Sequence, residues 1–519
     1  MTRTLLVALL LASCGGTAHP PQSFAGLTRV SGVSPFASGC ASPGQTGSNF
    51  LNAEVEPFLA VDPHDAQHLV GVWQQDRWST GGSNGLGSGA SFDGGKTWTT
   101  GFAHFTNCSG GNSANRANFE RASDPWVSFG ADSTPHQIGF AFNNRDARKA
   151  MLAVRSADGG RTWTEPLYLF EETSDTAATD KESITADPSD AKLVYAVWDR
   201  VTEPTPLFPT STGPAWFTRT TDGGASWEKA RSIYDPGSNA QTIGNQIVVL
   251  PSGHLIDLLT ILTQLNQQSQ QARAAVLLST DKGLSWSPKP VIIADELSQG
   301  VRNPKNNNEF IRTGDIVPEI AVDPQSGALY AVWEDSRFSS GARDGIVLSS
   351  SIDEGQHWNP PVRVNGALSS QAFTPSIAVA QGKVGVTYKV GVTYYDLRND
   401  NPGDDTQLLA TVWLATSSDG GKTFQESAVG GPFDIRSAPT SDGRGYFVGD
   451  YQGLVASGAN FLPFFVLANN GNAANPSDVF ARPPGAGAAA EQVLLPSALL
   501  EGRNFAVRRE PRTGLRRSY

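Results

Sequence analysis

Short stretches of alternating apolar and polar residues recur along most of the chain. The first runs through residues 56–63 and, after a turn at Asp62 and Pro63, continues through residues 68–73. A period of two is typical of strands with one buried face, and the turn residues between the two stretches favour a hairpin. The pattern therefore predicts repeated pairs of antiparallel strands, named A and B below. Equivalent stretches begin near Asp124, Glu182, Asn245, Glu319 and Pro375.

A second repeat follows each of these strand pairs. It reads Ser or Thr, any residue, Asp, any residue, Gly, two further residues and an aromatic residue, and its six copies start 59 to 72 residues apart. A repeat of this length that is carried by strands predicts the blades of a β-propeller, with the motif in a turn between strands C and D. The copies occupy residues 91–98, 156–163, 220–227, 279–286, 351–358 and 417–424.

The chemistry of this turn explains its composition. The Asp and Ser side chains can bind backbone N–H groups, and the glycine can adopt a positive φ. The motif is identified as the Asp box, and six copies make the chain resemble the sialidase superfamily. This resemblance implies an all-β propeller, in which the Asp box specifies a blade rather than an activity.

The number of blades depends on how the chain closes on itself. Residues 449–454, 461–468 and 478–482 resemble strands A, B and C of a seventh unit without an Asp box. Residues 27–35 resemble a strand D and could complete this unit, which would remove both free sheet edges. Seven blades are therefore predicted, with the six-bladed propeller of catalytic sialidase domains as the alternative.

The first fourteen residues have the features of an export signal. Arg3 precedes the short apolar stretch 5–12, and the small residues before Cys14 resemble a bacterial lipobox. We expect Cys14 to be lipidated and the protein to be anchored in the cell envelope, with an ordinary cleaved signal peptide as the alternative. The predicted organisation is a signal peptide (1–14), a flexible tether (15–26), a propeller (27–484) and a flexible basic tail (485–519).

Composition narrows the possible partners. A net charge of −11 and a pI near 5.2 argue against nucleic acid as a partner of the folded part. No spacing of Cys and His residues indicates a metal site, and we expect neither a metal nor a cofactor. Cys40 and Cys108 could form a disulfide in an oxidising compartment or remain two buried thiols. The protein is expected to be a monomer.

The topology of a propeller predicts where ligands bind. Strands alternate in direction within a blade, so the starts of strands A and the ends of strands B lie on one face, opposite the Asp boxes. Carboxylates recur at the A starts and arginines at the B ends, which could bind and process an anionic sugar. The alternative is that each carboxylate–arginine set ties neighbouring blades together, and the repetition of the arginine favours it. The carboxylates are Glu56, Asp124, Glu182, Glu319 and Asp450, and the arginines are Arg77, Arg145, Arg200, Arg337 and Arg398.

The resemblance to sialidases implies a particular set of catalytic groups. Sialidases bind the substrate carboxylate with three arginines, and they use a tyrosine nucleophile, a glutamate and an aspartate. The Phe-Arg-Ile-Pro motif that supplies their first arginine is absent from this chain. Asp450 and Tyr451 are the first choice for acid/base and nucleophile, and the other tyrosine candidates are Tyr394, Tyr395 and Tyr446.

The function implied by the resemblance is an exported propeller that acts on glycans, with exo-α-sialidase as the specific activity. The alternatives are a non-catalytic propeller that binds glycans or proteins, and a structural lipoprotein of the cell envelope.

Overall fold

The computed structural model describes residues 24–204, 210–266, 269–380, 389–485 and 493–494. Its regular structure within these ranges is almost entirely β, with only two single-turn 3-10 helices, Arg337–Ser339 and Ile435–Ser437. The predicted all-β class is confirmed. None of the described residues forms a helix that is long and apolar enough to cross a membrane. The proposed lipidation site, Cys14, lies outside the described residues, as does most of the predicted basic tail.

The strands are grouped below into seven units by the sequence repeat, in chain order and preceded by β1 (Thr28–Arg29). Hydrogen bonds join units 1 and 2 in one sheet and units 3 and 4 in another. Unit 1 consists of β2 (Glu54–Val61), β3 (Leu69–Arg77), β4 (Ser83–Ser91) and β5 (Thr99–Phe102). Unit 2 consists of β6 (Arg121–Phe129), β7 (Pro135–Phe142), β8 (Lys149–Arg155) and β9 (Leu167–Glu172). Unit 3 consists of β10 (Ala177–Ala186), β11 (Val194–Thr202), the short β12 (Thr212–Gly213), β13 (Ala215–Thr220) and β14 (Arg231–Tyr234).

Unit 4 consists of β15 (Ala240–Val249), β16 (Leu255–Asn266), β17 (Ser269–Ser279) and β18 (Val291–Asp295), and β19 (Val301–Asn303) and β20 (Asn306–Arg312) follow it. Unit 5 consists of β21 (Glu319–Val322), β22 (Leu329–Asp335), β23 (Gly345–Ser351) and β24 (Val362–Arg363). Unit 6 consists of β25 (Ala372–Ala380), β26 (Lys389–Asp396), β27 (Leu409–Ser417) and β28 (Gln425–Asp434), and β29 (Thr440–Ser441) and β30 (Gly445–Phe447) follow it. Unit 7 consists of β31 (Gly453–Ser457), β32 (Asn460–Ala468) and β33 (Ser477–Ala481), and β34 (Val493–Leu494) comes last.

The first strands of successive units pack against one another. Contacts run from β2 through β6, β10, β15, β21, β25 and β31, and β31 contacts β2 again. The first strands therefore form a closed circuit of neighbours.

The N-terminal strand completes the last unit. Thr28 pairs with Ala481 and Arg29 pairs with Phe480, both antiparallel. The backbone N–H of Val30 continues the ladder by donating to the Val479 carbonyl at 2.8 Å. The predicted pairing of the N-terminus with the last unit is confirmed, and it covers the outer edge of β33.

The six Asp boxes form the turns between the third and fourth strands of units 1 to 6, as predicted. In unit 1 the Ser91 hydroxyl donates to Asp93 at 2.9 Å and accepts the Gly95 N–H at 2.9 Å. Asp93 also accepts the Thr97 N–H at 2.9 Å, and the Trp98 indole donates to the Gly95 carbonyl at 3.0 Å. Gly95 has a φ of 85°, which an L side chain rarely adopts.

Three further features were either left undecided by the sequence analysis or not predicted by it. Cys40 and Cys108 form a disulfide with a Cα–Cα distance of 5.0 Å, which settles the choice between the two alternatives. Val493–Leu494 pairs with the outer edge of β28, so a strand lies within the predicted tail. The third is a separate sheet in the order β19-β20-β30-β29, named the inserted sheet below. Its strands come from the connections between units 4 and 5 and between units 6 and 7.

Candidate functional site at the mouth of the central channel

A β-bulge interrupts the first strand of five units at the same place. Its register shift lies between Val55 and Phe58 in unit 1, and between equivalent residues in units 2, 3, 4 and 6. The residue in each bulge has a φ between 49° and 71°, a conformation that costs a non-glycine residue about 1–3 kcal/mol and concentrates at functional sites. These residues are Glu56, Asp124, Lys181, Gly244 and Thr374.

The bulges of units 1 to 3 point three charged side chains at one another. The Lys181 ammonium donates to Asp124 at 2.5 Å and to Glu56 at 3.2 Å. It also lies 3.0 Å from a carboxylate oxygen of Asp450, which precedes the first strand of unit 7. One ammonium thus joins carboxylates from three units.

Arg312, the last residue of β20, binds the same aspartate from above. Its Nε donates to Asp450 Oδ1 at 3.0 Å and its Nη2 to Oδ2 at 2.5 Å. This two-point geometry is the strongest that an arginine and a carboxylate can form. The channel cluster is defined here as Glu56, Asp124, Lys181, Arg312 and Asp450.

The channel cluster is sealed from solvent, with exposures of 1% for Glu56, 2% for Asp124 and 4% for Lys181. The ring of Phe447 covers it, with Arg312 at 4.1 Å and Arg77 at 4.8 Å from the ring centroid. Three cations therefore lie close to three carboxylates in a buried space.

Burial and neighbouring charges move the pKa values of this cluster in different directions. Burial, followed by the charge of Asp124, raises the pKa of Glu56. Burial would also raise the pKa of Asp450, but Arg312 and Lys181 hold it well below its ordinary value. Burial would lower the pKa of Lys181, but Asp124, Asp450 and Glu56 raise it well above its ordinary value. Burial therefore increases the proton affinity of Glu56, whereas the neighbouring cations keep Asp450 ionised.

Polar neighbours fix the orientation of the two bulge carboxylates. The Ser123 hydroxyl donates to Asp124 at 2.7 Å and accepts the Gln74 amide at 3.0 Å. The same Gln74 amide donates to Glu56, and its oxygen accepts Arg77 Nη1 at 2.6 Å. Arg77 is therefore the one predicted rim arginine that joins the network of the channel cluster.

The other two predicted carboxylates lie outside the cluster. Glu319 accepts the Ile377 N–H of unit 6 at 3.3 Å, and burial raises its pKa to about 8. Neither oxygen of Glu182 has a hydrogen-bond partner among the described residues, and burial and Asp124 raise its pKa well above the ordinary value. Both side chains are at most 3% exposed.

Tyr451 lies between the apolar core and the channel cluster. Its ring packs against Trp126 at 5.2 Å and Phe58 at 6.4 Å, and its hydroxyl donates to the Pro125 carbonyl at 3.3 Å. The Lys181 ammonium lies 5.4 Å from the centroid of the same ring. The residue is 3% exposed, and its role as the nucleophile stays a prediction.

The remaining four predicted arginines form local ion pairs and do not converge. Arg200 donates to Glu172 of unit 2 at 2.8 and 2.5 Å. Arg337 donates to Asp335, two residues before it, at 2.8 and 2.7 Å. The other two pairs are Arg145 with Glu120, and Arg398 with Asp396 and Glu426. The Arg200–Glu172 pair joins two units, as the alternative interpretation expects, whereas the other three arginines bind carboxylates of their own unit.

A second tyrosine candidate lies beside a glutamate and an arginine. The Tyr446 hydroxyl donates to Glu309 at 2.7 Å, and Arg436 binds the same carboxylate at 2.8 and 2.9 Å. These hydrogen bonds lower the pKa of Glu309 to about 2. Burial and the bond to Glu309 raise the pKa of Tyr446 to about 12. Tyr446 is partly exposed and precedes the covering residue Phe447.

Sequence reasoning missed Lys181 and Arg312. An alignment of the bulges would have placed Lys181 level with Glu56 and Asp124, although it lacks the proline that follows each of them. Arg312 gave no comparable signal, because it lies in an irregular connection outside the repeat. Among the described residues, no group of three or more His, Cys, Asp or Glu side chains is placed to hold a metal ion.

No protein-family model and no curated protein matches the chain. Similar solved structures include an α-L-arabinofuranosidase from Fusarium graminearum, which is 14% identical over 70% of this chain and 93% of that chain, with a TM-score of 0.44. An α-L-arabinanase from Penicillium chrysogenum, complexed with arabinobiose, is 13% identical over 88% and 98% of the two chains, with a TM-score of 0.42. The Trypanosoma rangeli sialidase, in complex with the inhibitor DANA, is 13% identical over 75% and 58%, with a TM-score of 0.41.

Sialidases are thus among the structures that this chain is similar to. A similarity this distant carries no argument about the activity of the chain.

Proposed function

We propose that the chain is an exported, seven-bladed β-propeller that acts on glycans at the channel cluster. One observation carries this proposal: equivalent bulge positions in three consecutive units hold Glu56, Asp124 and Lys181, and all three side chains meet. A structural repeat should place the same residue at each of these positions. Different charged residues, held in strained backbone and buried, indicate a site selected for chemistry.

The seven-bladed architecture is supported by the circuit of first strands and by the pairing of Thr28–Arg29 with unit 7. The N-terminal strand completes unit 7, and unit 7 contacts unit 1, so the ring of seven units closes without a further strand.

Export through a lipid anchor is supported by the sequence before Cys14. Replacing Cys14 with alanine should release the protein from the membrane fraction of cells that express it. Unchanged partitioning of Cys14→Ala between membrane and soluble fractions would contradict the lipid anchor.

The pKa values suggest roles in glycoside hydrolysis. Glycosidases pair a carboxyl group that keeps its proton with a carboxylate that stays ionised. Glu56, whose pKa burial raises, is the proposed proton donor, and Asp450, whose pKa Arg312 and Lys181 hold low, is the proposed carboxylate that stays ionised. Arg77, Arg312 and Lys181 supply positive charge that would favour an anionic sugar.

Within this proposal, exo-α-sialidase is the specific activity to test. It requires a tyrosine beside a glutamate and several arginines. Tyr446 and Glu309 form such a pair, Arg436 binds the glutamate, and Arg312 stacks on the adjacent Phe447. Tyr446 is therefore a second proposed nucleophile for this activity, beside Tyr451, whose ring centroid lies 5.4 Å from the Lys181 ammonium.

A non-catalytic propeller that binds glycans or proteins is the second candidate. The observation in its favour is that four of the five predicted arginines are already engaged by carboxylates, which leaves them unavailable to a substrate.

Purified protein assayed on fluorogenic α-sialosides and α-L-arabinofuranosides, and on a glycan array, separates the two candidates. We expect hydrolysis of at least one glycoside and a loss of at least about 100-fold in kcat for Glu56→Gln, because a general acid contributes that much. Glu172→Gln, which alters a rim ion pair, is the matched control and should keep its activity. Glycan binding without turnover would establish the second candidate, and neither binding nor turnover would overturn both.

A further inference from the structure

The inserted sheet lies across the mouth of the channel, directly over the channel cluster. Its strand β20 ends at Arg312, which binds Asp450, and its strand β30 ends at Phe447, which stacks on Arg312 and Arg77. Phe447 is fully buried beneath this sheet. No substrate can reach side chains that are 1–5% exposed unless part of this cover moves.

The β19–β20 hairpin, Val301–Arg312, is the part of the cover that is least embedded. Asn306, Asn307 and Asn308 are exposed, whereas Asn303 beside the turn and Ile311 and Arg312 at the base are buried. Segments with few buried apolar contacts open at lower free energy than the core of a fold.

Two charged side chains hold this hairpin down: Glu309, which binds Arg436 and Tyr446, and Lys305 at the tip. The Lys305 ammonium is 6% exposed and enters a loop of unit 6, where it lies 2.9 Å from the Asp400 carboxylate. It also donates to the backbone carbonyls of Asp404 at 2.8 Å, Gln407 at 2.7 Å and Asn401 at 3.4 Å. A lysine ammonium has three donors and a compact charge, which fits this cage of oxygen atoms.

We propose that the β19–β20 hairpin is a gate over the channel cluster and that Lys305 is its latch. The functional meaning of the gate rests on the proposed function, whereas its opening can be measured without any activity. The turn of the hairpin, residues 303–308, bonds to the rest of the protein through Lys305. Release of Lys305 therefore frees this turn, while Glu309 still ties β20 to Arg436 and Tyr446.

Opening also changes the charge of the site. Arg312 is the last residue of the gate and holds Asp450 at two points. A gate that swings from its base withdraws this guanidinium, which leaves Asp450 with Lys181 as its cation. Entry of a substrate is therefore coupled to the electrostatic state of the cluster, because both depend on the position of one hairpin.

The test compares Lys305→Met with Lys282→Met in the full chain. Lys282 also binds a buried carboxylate, with its Nζ 2.8 Å from Asp187, but it lies in an Asp box on the opposite face. Hydrogen–deuterium exchange reports opening of residues 301–312, and acylation of the Lys181 amine by acetic anhydride, followed by mass spectrometry, reports access to the cluster.

We expect Lys305→Met to raise both rates by at least about tenfold, because a charge-assisted hydrogen bond contributes that much to the closed state. Exchange in β22 of unit 5 should stay as in the parent protein, and Lys282→Met should change neither rate. Asp400→Asn, which keeps the shape of the loop and removes its charge, should raise the same two rates by a smaller factor.

Unchanged exchange of residues 301–312 in Lys305→Met would overturn the gate. Equal acceleration in residues 301–312 and β22 would also overturn it, since Lys305 would then stabilise the whole fold. A gate that opens as expected in a protein that neither cleaves nor binds glycans would refute the proposed function and leave the gate standing.

Discussion

The channel cluster and the rim arginines are built from the same kinds of residue but differ in how the repeat uses them. At the rim, the arginine recurs from unit to unit and meets a carboxylate nearby, as Arg200 meets Glu172. At the channel, equivalent positions carry a glutamate, an aspartate and a lysine that bind one another across units. In a repeat protein, regular positions maintain the architecture, and departures from the repeat mark the positions where a site was built.

The largest effect that distinguishes these regions should come from removing the central cation. In Lys181→Met, three buried carboxylates lose their shared partner, and we expect the free energy of unfolding to fall by about 3–5 kcal/mol. Urea denaturation followed by tryptophan fluorescence measures this loss.

Arg200→Met is the matched control at the rim. Its ion pair is partly exposed, so we expect a loss of about 1 kcal/mol or less. Similar losses for the two variants would show that the channel cluster is one more structural tie.

An intermediate effect concerns a carboxylate that lacks a cation. Burial raises the pKa of Glu319 to about 8 in the folded protein from an unfolded value near 4.5. The folded state therefore binds the proton more tightly than the unfolded state, and this group lowers stability progressively as pH rises from 4.5 to 8. Glu319→Gln should be about 1–3 kcal/mol more stable than the parent at pH 8.5 and nearly equal to it at pH 4.5.

Urea titrations of Glu319→Gln and the parent at both pH values provide the measurement. Asp450 should behave in the opposite sense, because Arg312 and Lys181 lower its pKa and its contribution is lost as pH falls below 3.8. A pH-independent difference between Glu319→Gln and the parent would contradict the assigned burial effect.

The smallest effect is expected for a conservative change at the rim. Arg337→Lys replaces a planar fork, which donates twice to Asp335, with a single point charge. Stability should fall by about 0.5 kcal/mol, and hydrolysis of any glycoside substrate should be unchanged. A large loss of activity in Arg337→Lys would show that this rim arginine takes part in catalysis.

Much of the architecture could be predicted from the sequence because the repeat is local. The Asp boxes fix six turns, the alternation of apolar residues fixes strands A and B, and residues 27–35 resemble the strand that unit 7 lacks. The choice between a disulfide and two thiols at Cys40 and Cys108 could not be made, since it depends on where the first unit folds back.

The site was only partly predictable, for a geometric reason. Asp450 and Tyr451 precede β31 in an irregular segment, so alternation along a strand gives no guide to where their side chains point. The Lys181 ammonium lies 3.0 Å from an oxygen of Asp450 and 5.4 Å from the centroid of the Tyr451 ring. Arg312 and Tyr446 belong to connections whose path no repeat specifies. Lys181 was missed because it is a lysine where the equivalent positions of units 1 and 2 carry carboxylates, and this difference is also what marks the position as special.

The strand from the N-terminus has a consequence for the order in which the protein acquires its fold. The Ser31 hydroxyl accepts the Val479 N–H from a residue 448 positions later in the chain. A polypeptide that emerges with its N-terminus first must hold this strand unpaired until nearly all other units exist. Contacts between such distant positions form late and slowly, because the entropy of the whole intervening chain opposes them. A chain that stops short of Ser477 would expose two unpaired strand edges at once, those of β1 and β32, and would be prone to join with copies of itself.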